Sequence, residues 1–277
     1  MNLEKPTLFT RVGHAEWGDN RFRGWSVAHD LVGRESASSL IALAIVGRRI
    51  DENERLMLDD MATATHVADP RIWPFKLVRV TAAYGGCQAA VAAAIVSLEG
   101  AMIGHQAAGP AAEFLLHLRD ELLVNTANRA EEDDLVLEER CRLLLAQQRR
   151  PVGFGVPFRR RDERVDMLTE RVVARGRSEL PYWRLFAKTA EIFWRIKNVR
   201  PNMTLAAAAV CLDMGFTPMQ IGPLMTAIGS SAFWANAFEG AAQMPPSLQT
   251  LPENCVRYVG PPSRVSPRWS RGRPKKE

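Results

Sequence analysis

An all-α fold follows from three features of this 277-residue chain: apolar residues recur at spacings of three and four, the runs between proline and glycine are long, and apolar-polar alternation is scarce. The hydrophobic share of 47% is ample for one large domain or two modest ones. The periodicity predicts helices over Ser36–Val46, Glu52–Thr65, Phe75–Leu98, Pro110–Val124, Ala130–Gln148 and Arg164–Arg175, then Trp183–Lys197, Leu205–Met214, Pro218–Ile228 and Phe233–Gln243. Asp51 suits the N-cap of the second helix, and Gly100 suits the stop of the long Ala-rich third one. Gly104, the stretch Pro151–Pro157 and Arg200-Pro201 interrupt the helical pattern and mark domain junctions.

Composition narrows the function classes. No window of about 18 residues is apolar enough to cross a bilayer, and Met1 to Arg11 lacks the apolar core of a secretion signal, so a soluble, cytoplasmic protein is expected. Cys87, Cys141, Cys211 and Cys255 are far apart, without a CxxC pair, which argues against a zinc knot or a disulfide framework. The net charge is +5, and much of the excess lies in residues 263–277, read as a basic disordered tail. A solvated terminus is the ordinary outcome for so short a basic tract, so nucleic acid is not among the expected partners.

Two cationic clusters flank loops. Arg159, Arg160, Arg161 and Arg164 follow Gly153-Phe154-Gly155, while Arg195, Lys197 and Arg200 precede Pro201. Arginine at a loop edge takes phosphate or carboxylate through two parallel hydrogen bonds, and glycines let backbone amides approach an anion such as coenzyme A. The competing reading is a solvated face whose arginines are neutralised by Asp162, Glu163 and Asp166.

Three segments in order, Ile103-Gly104-His105, Gly153-Phe154-Gly155-Val156 and Arg200-Pro201-Asn202-Met203-Thr204, resemble the active-site segments of the citrate synthase family. The likeness spans nearly the whole chain. Arg23-Gly24-Trp25 is similar to that family's amino-terminal arginine-glycine-tyrosine stretch, and Ala89 to Gly104 to the long helix before its His-Gly-Gly-Ala-Asn turn. Asp162-Glu163-Arg164 resembles its Asp-Pro-Arg element, and Arg257-Tyr258-Val259-Gly260-Pro261 its closing signature. The departures are as informative: Val156 stands where the family has a histidine, Thr204 where it has the catalytic aspartate, Ser230 where it has a carboxylate-binding arginine, and Glu253 where the arginine opening its final Arg-Pro-Arg stretch would fall.

The resemblance implies a large helical domain, 1–108 plus 200–262, with a smaller lid domain, 109–199, inserted, and a homodimer. It implies that His105 donates to an enolate oxygen, with Thr204 and His66 as the other catalytic positions, His66 or Asp69 supplying a relocated base. Arg164, Arg257 and Asn202 would contact substrate; Arg159, Arg160, Arg195, Lys197, Gly153 and Gly155 would hold coenzyme A. For His66 a loop histidine capping a helix is the competing reading, and for His105 a plain helix-end donor is, although the family match favours a site role there. The implied activity is acyl transfer from a CoA thioester, making or cleaving a carbon-carbon bond with an oxo-acid or related carbonyl partner, without a permanently bound cofactor. The alternative is a catalytically silent paralogue serving as a CoA-ester-binding or regulatory subunit, since Val156 and Thr204 cannot fill two of the family's three roles.

Overall fold

A computed structural model describes residues 8–99, 104–125, 130–147, 152–156, 160–243, 253–255, 257 and 259–262. Gly100, Arg159, Tyr258 and the tail 263–277 lie outside the described residues. The described residues are predominantly helical, as the periodicity predicts, and the helices begin with α1 Ala37–Val46, α2 Glu52–Ala64, α3 Trp73–Gly85, α4 Cys87–Ser97, α5 Ala108–Asn125 and α6 Ala130–Gln147. They are followed by α7 Glu163–Ala174, α8 Pro181–Lys197, α9 Met203–Asp213, α10 Pro218–Ile228 and α11 Ser231–Ala242.

Local chemistry sets the ends. Asp51 accepts from the Glu54 amide at 2.8 Å and Glu54 accepts from the Asp51 amide at 3.1 Å, a reciprocal cap on α2. Pro181 opens α8, and Asn198, in the left-handed region at φ 53°, closes it.

The periodicity misplaces one element. Phe75–Leu98 is two helices, α3 and α4, because Gly86 sits at φ 85° and ψ 163°, a conformation essentially restricted to glycine. A small antiparallel sheet also goes unpredicted: β1 Gly13–Glu16, β2 Asp19–Phe22 and β3 Trp25–Ser26, in that order. All of β1 is exposed, so no buried face imposes the alternation that would have revealed it.

The core is built around α9. Leu205, the four alanines 206–209, Val210 and Cys211 are all buried, so this helix is apolar on every side and its small residues let α5, α8 and α10 approach closely. Leu115, Leu118, Phe193, Phe216 and Ile221 fill the spaces around it. A second cluster joins α3, α4 and α11 through Phe75, Val78, Val91, Phe233 and Ala237. There Gly240 faces the backbone of Arg79 so closely that a Cβ would lie 2.6 Å from its Cα. Among the described residues, no single helix is long and apolar enough to cross a membrane.

Candidate active site

Two of the loops singled out by sequence are laced together. The Gly155 amide donates to the Arg200 carbonyl at 2.8 Å and the Asn202 amide to the Gly153 carbonyl at 2.9 Å, making a short antiparallel bridge between Phe154 and Pro201. Asn202 adds a side-chain bond to the Gly155 carbonyl at 3.0 Å and caps α9 by accepting from the Thr204 amide, also at 3.0 Å. Phe154 anchors the loop by stacking on Phe193 with ring centres 4.1 Å apart. Gly153, at φ 82°, lies directly against Leu205, where a Cβ would come within 2.6 Å of the leucine Cβ. Val156 and Thr204 are both half-buried beside this junction.

Asp162 fastens the next segment to it. Its oxygens accept from Arg164 Nε and Nη2, each at 2.7 Å, and from the Met203 amide at 2.8 Å. Burial alone would raise this carboxyl, but the guanidinium and the amide outweigh burial and hold it below the usual carboxylate range. Asp162 is thus an ionised strut between the start of α7 and the start of α9, and it commits much of Arg164's hydrogen-bonding fork.

His105 occupies a short 3-10 turn, His105–Ala107, entered through Gly104 at φ 135° and ψ 176°. Its pKa is pushed down to about 4, first by burial and second by the nearby Arg164 charge, so the ring is neutral at physiological pH. Its Nδ1 is buried without a hydrogen-bond partner among the described residues. The ring packs on Gly229, where a Cβ would lie 3.0 Å from Cε1 and 3.5 Å from Nε2.

His66 reaches the same α10–α11 turn from the end of α2. Its Nδ1 lies 2.9 Å from the Ala62 carbonyl and its Nε2 2.7 Å from Ser231 Oγ. The bond to Ala62 is the helix-capping contact expected of a loop histidine. The partner on its other nitrogen was not anticipated from sequence. Asp69, the other possible base, is bound to Arg71 at 2.9 Å.

The basic residues separate into engaged and exposed groups. Arg195 pairs with Glu138, Arg161 lies 3.2 Å from Asp166, and the Arg200 guanidinium stacks 4.0 Å over the Trp194 ring. Arg160, Lys197 and Arg257 are exposed. Among the described residues, no group of three or more His, Cys, Asp or Glu side chains could hold a metal ion.

Two residues matter more here than their sequence context suggested. Asp162 is the strut of the site rather than one of several neutralising acids, a role detectable only through its bond to Met203, 41 positions away. Ser231 meets His66 across 165 positions, and no local signal announces it.

Among solved structures, the chain is similar to citryl-CoA lyase from Hydrogenobacter thermophilus, with 20% identity, a TM-score of 0.77, and 96% of this chain and 100% of that one covered. It is also similar to ATP citrate lyase from Methanothrix soehngenii in complex with citrate and coenzyme A, at 14% identity and a TM-score of 0.71, covering 97% of this chain and 44% of that one. Citrate synthase from Thermotoga maritima follows at 19% identity and a TM-score of 0.62, with 84% of this chain and 60% of that one covered. No family model matches the sequence, and no curated protein does. The fold is therefore citrate-synthase-like. The chain spans the whole of the first of these neighbours and less than two thirds of the other two.

Proposed function

We propose that this protein is an enzyme acting on a coenzyme A thioester, cleaving or forming the adjacent carbon-carbon bond with an oxo-acid or related carbonyl partner. The observation that carries this reading is His105: neutral, half-buried, with a buried Nδ1 that has no partner among the described residues, and packed on Gly229 near the charge of Arg164. A neutral imidazole with one nitrogen shielded from solvent is suited to stabilise the enolate oxygen that develops when a bond at a thioester α-carbon is made or broken. The likeness to a citryl-CoA lyase over that protein's full length supports the cleaving direction.

In that direction a base takes the proton from the hydroxyl of a 3-hydroxyacyl-CoA, the bond between C2 and C3 breaks, and the electron pair moves into the thioester enolate next to His105. Protonation of C2 then releases acyl-CoA and a carbonyl compound. His66 is the base this reading favours, because the Asp162 oxygens are committed to Arg164 and the Met203 amide, which lower their proton affinity, and Asp69 is bound to Arg71. Arg160 and Lys197, both exposed, are the phosphate contacts it favours, together with Arg159 and Arg195, which pairs with Glu138.

One observation favours a second reading, a silent CoA-ester-binding subunit: Thr204 stands at the head of α9 with no ionisable side chain of its own. Incubation with citryl-CoA and related 3-hydroxyacyl-CoAs, with acyl-CoA and oxo-acid products followed by mass spectrometry, separates the two. Product formation lost in His105→Gln supports the enzyme. A raised melting temperature with CoA esters and no product supports the subunit, and neither response overturns both.

The reading extends to a cytoplasmic homodimer with a lid over 109–199. Tyr84, Val96 and Phe238 stand 59%, 71% and 66% exposed on α3, α4 and α11, apolar surface of the kind a two-fold partner would cover. Light scattering tests the dimer, and small-angle scattering with and without coenzyme A tests lid closure.

A further inference from the structure

We propose that Ser231 and His66 form an acyl-transfer pair that cleaves a thioester by a covalent route, a reaction different from the carbon-carbon bond chemistry at His105 although it draws on the same His66 base. The inference rests on the reading above only in taking the acyl donor to be a CoA thioester. A carbonyl oxygen can only accept, so the 2.9 Å contact to Ala62 fixes the proton of neutral His66 on Nδ1. Nε2 then carries the lone pair, and the 2.7 Å contact means that Ser231 donates its hydroxyl proton to it. A nucleophile, a base within hydrogen-bond reach and a third group orienting that base are the three parts of an activated hydroxyl.

The surroundings suit the chemistry. Ser231 is the first residue of α11, where the helix dipole favours negative charge developing on or beside its oxygen. Both side chains are solvent-accessible, so a thioester can reach Ser231 Oγ and water can later reach the acyl group. The turn that carries Ser231 also packs on His105 through Gly229, which sets the pair beside the proposed thioester position.

The step balances without a further reagent. Ser231 Oγ attacks the thioester carbonyl while its proton passes to His66 Nε2. The carbon-sulfur bond breaks and coenzyme A leaves, its sulfur taking that proton. Water, giving a proton to His66, then attacks the Ser231 ester, and the carboxylic acid departs as the serine hydroxyl recovers its proton. The net reaction is thioester hydrolysis.

The test treats the intact protein with a fluorophosphonate and, separately, with acetyl-CoA quenched in acid, and maps the adducts by mass spectrometry. The expected result is one phosphonyl group on Ser231, a trapped acetyl group on the same residue, and release of free thiol. His66→Ala should slow both modifications by about 100-fold or more. Ser231→Ala should abolish them while leaving the melting temperature of the free protein unchanged, which excludes misfolding. Absence of both adducts from Ser231, with acetyl-CoA still raising the melting temperature, overturns the pair and leaves the thioester site standing. Absence of that shift as well overturns both readings.

Discussion

Asp162 and Arg164 form a two-point ion pair whose carboxylate side chain is 2% exposed and whose guanidinium is 28% exposed. Because the same carboxylate also holds the Met203 amide, one acid joins the start of α7 to the start of α9 and positions the charge that adds to burial in keeping His105 neutral. Removing one partner of a buried pair leaves the other unpaired, so Asp162→Asn should cost about 3 kcal/mol of stability in urea unfolding. The sign with pH follows from a folded pKa held below its unfolded value. The stabilisation is complete above the ordinary carboxylate range near pH 4 and is lost as pH falls through the lower folded value. The gap between wild type and variant should therefore close in acid. A gap independent of pH would mean that the pair carries no net stabilisation.

His105 predicts a slope in a different window. Its folded pKa of about 4 lies below the ordinary value of 6.5, so the unfolded chain binds the proton first. Stability should be full above pH 6.5 and fall as pH drops toward 4, by on the order of 3 kcal/mol. His105→Gln should flatten that part of the curve. If the ring stabilises an enolate, the same substitution should lower kcat by about 100-fold or more with little change in KM.

Gly104 is placed to control that ring. Its φ of 135° is open to glycine, and a Cβ would meet both the Leu98 carbonyl and Leu98 Cδ2 at 3.0 Å. Gly104→Ala should cost about 2 kcal/mol in backbone strain alone. Because His105 follows directly, turnover should fall further than His105-independent binding of coenzyme A, as read by thermal shift. Equal loss of both would indicate general unfolding instead of displacement of one side chain.

Most of the helical framework was legible because helices of 10 to 18 residues carry an apolar period, whereas the β1–β3 sheet carries none: its strands are two to four residues long and largely exposed. The break at Gly86 was hidden inside an Ala-rich run, although the adjacent Gly85-Gly86 pair was a usable signal. The loop segments around Gly153 and Asn202 could be nominated by resemblance, since each is contiguous. The contacts that give the site its electrostatics could not. Asp162 to Met203 and His66 to Ser231 depend on how helices 41 and 165 positions apart are brought together, which no local pattern encodes.

The junction of Gly153 with Leu205 offers the sharpest packing test, because two separable penalties meet at one methyl group. Gly153→Ala would force an L-residue to φ 82° and drive its Cβ to 2.6 Å from that of Leu205. Leu205→Ala alone should cost about 2–5 kcal/mol, since its side chain is fully buried in the main core. In the double variant, removal of the leucine's outer carbons relieves contacts at 3.1 and 3.2 Å but leaves the Cβ to Cβ contact and the backbone strain in place. The combined loss should therefore fall short of the sum by about 1 kcal/mol without approaching either single value, as measured by urea unfolding. Full additivity would show that the outer carbons of Leu205 play no part, leaving backbone strain at Gly153 and the Cβ to Cβ contact as what demands glycine there.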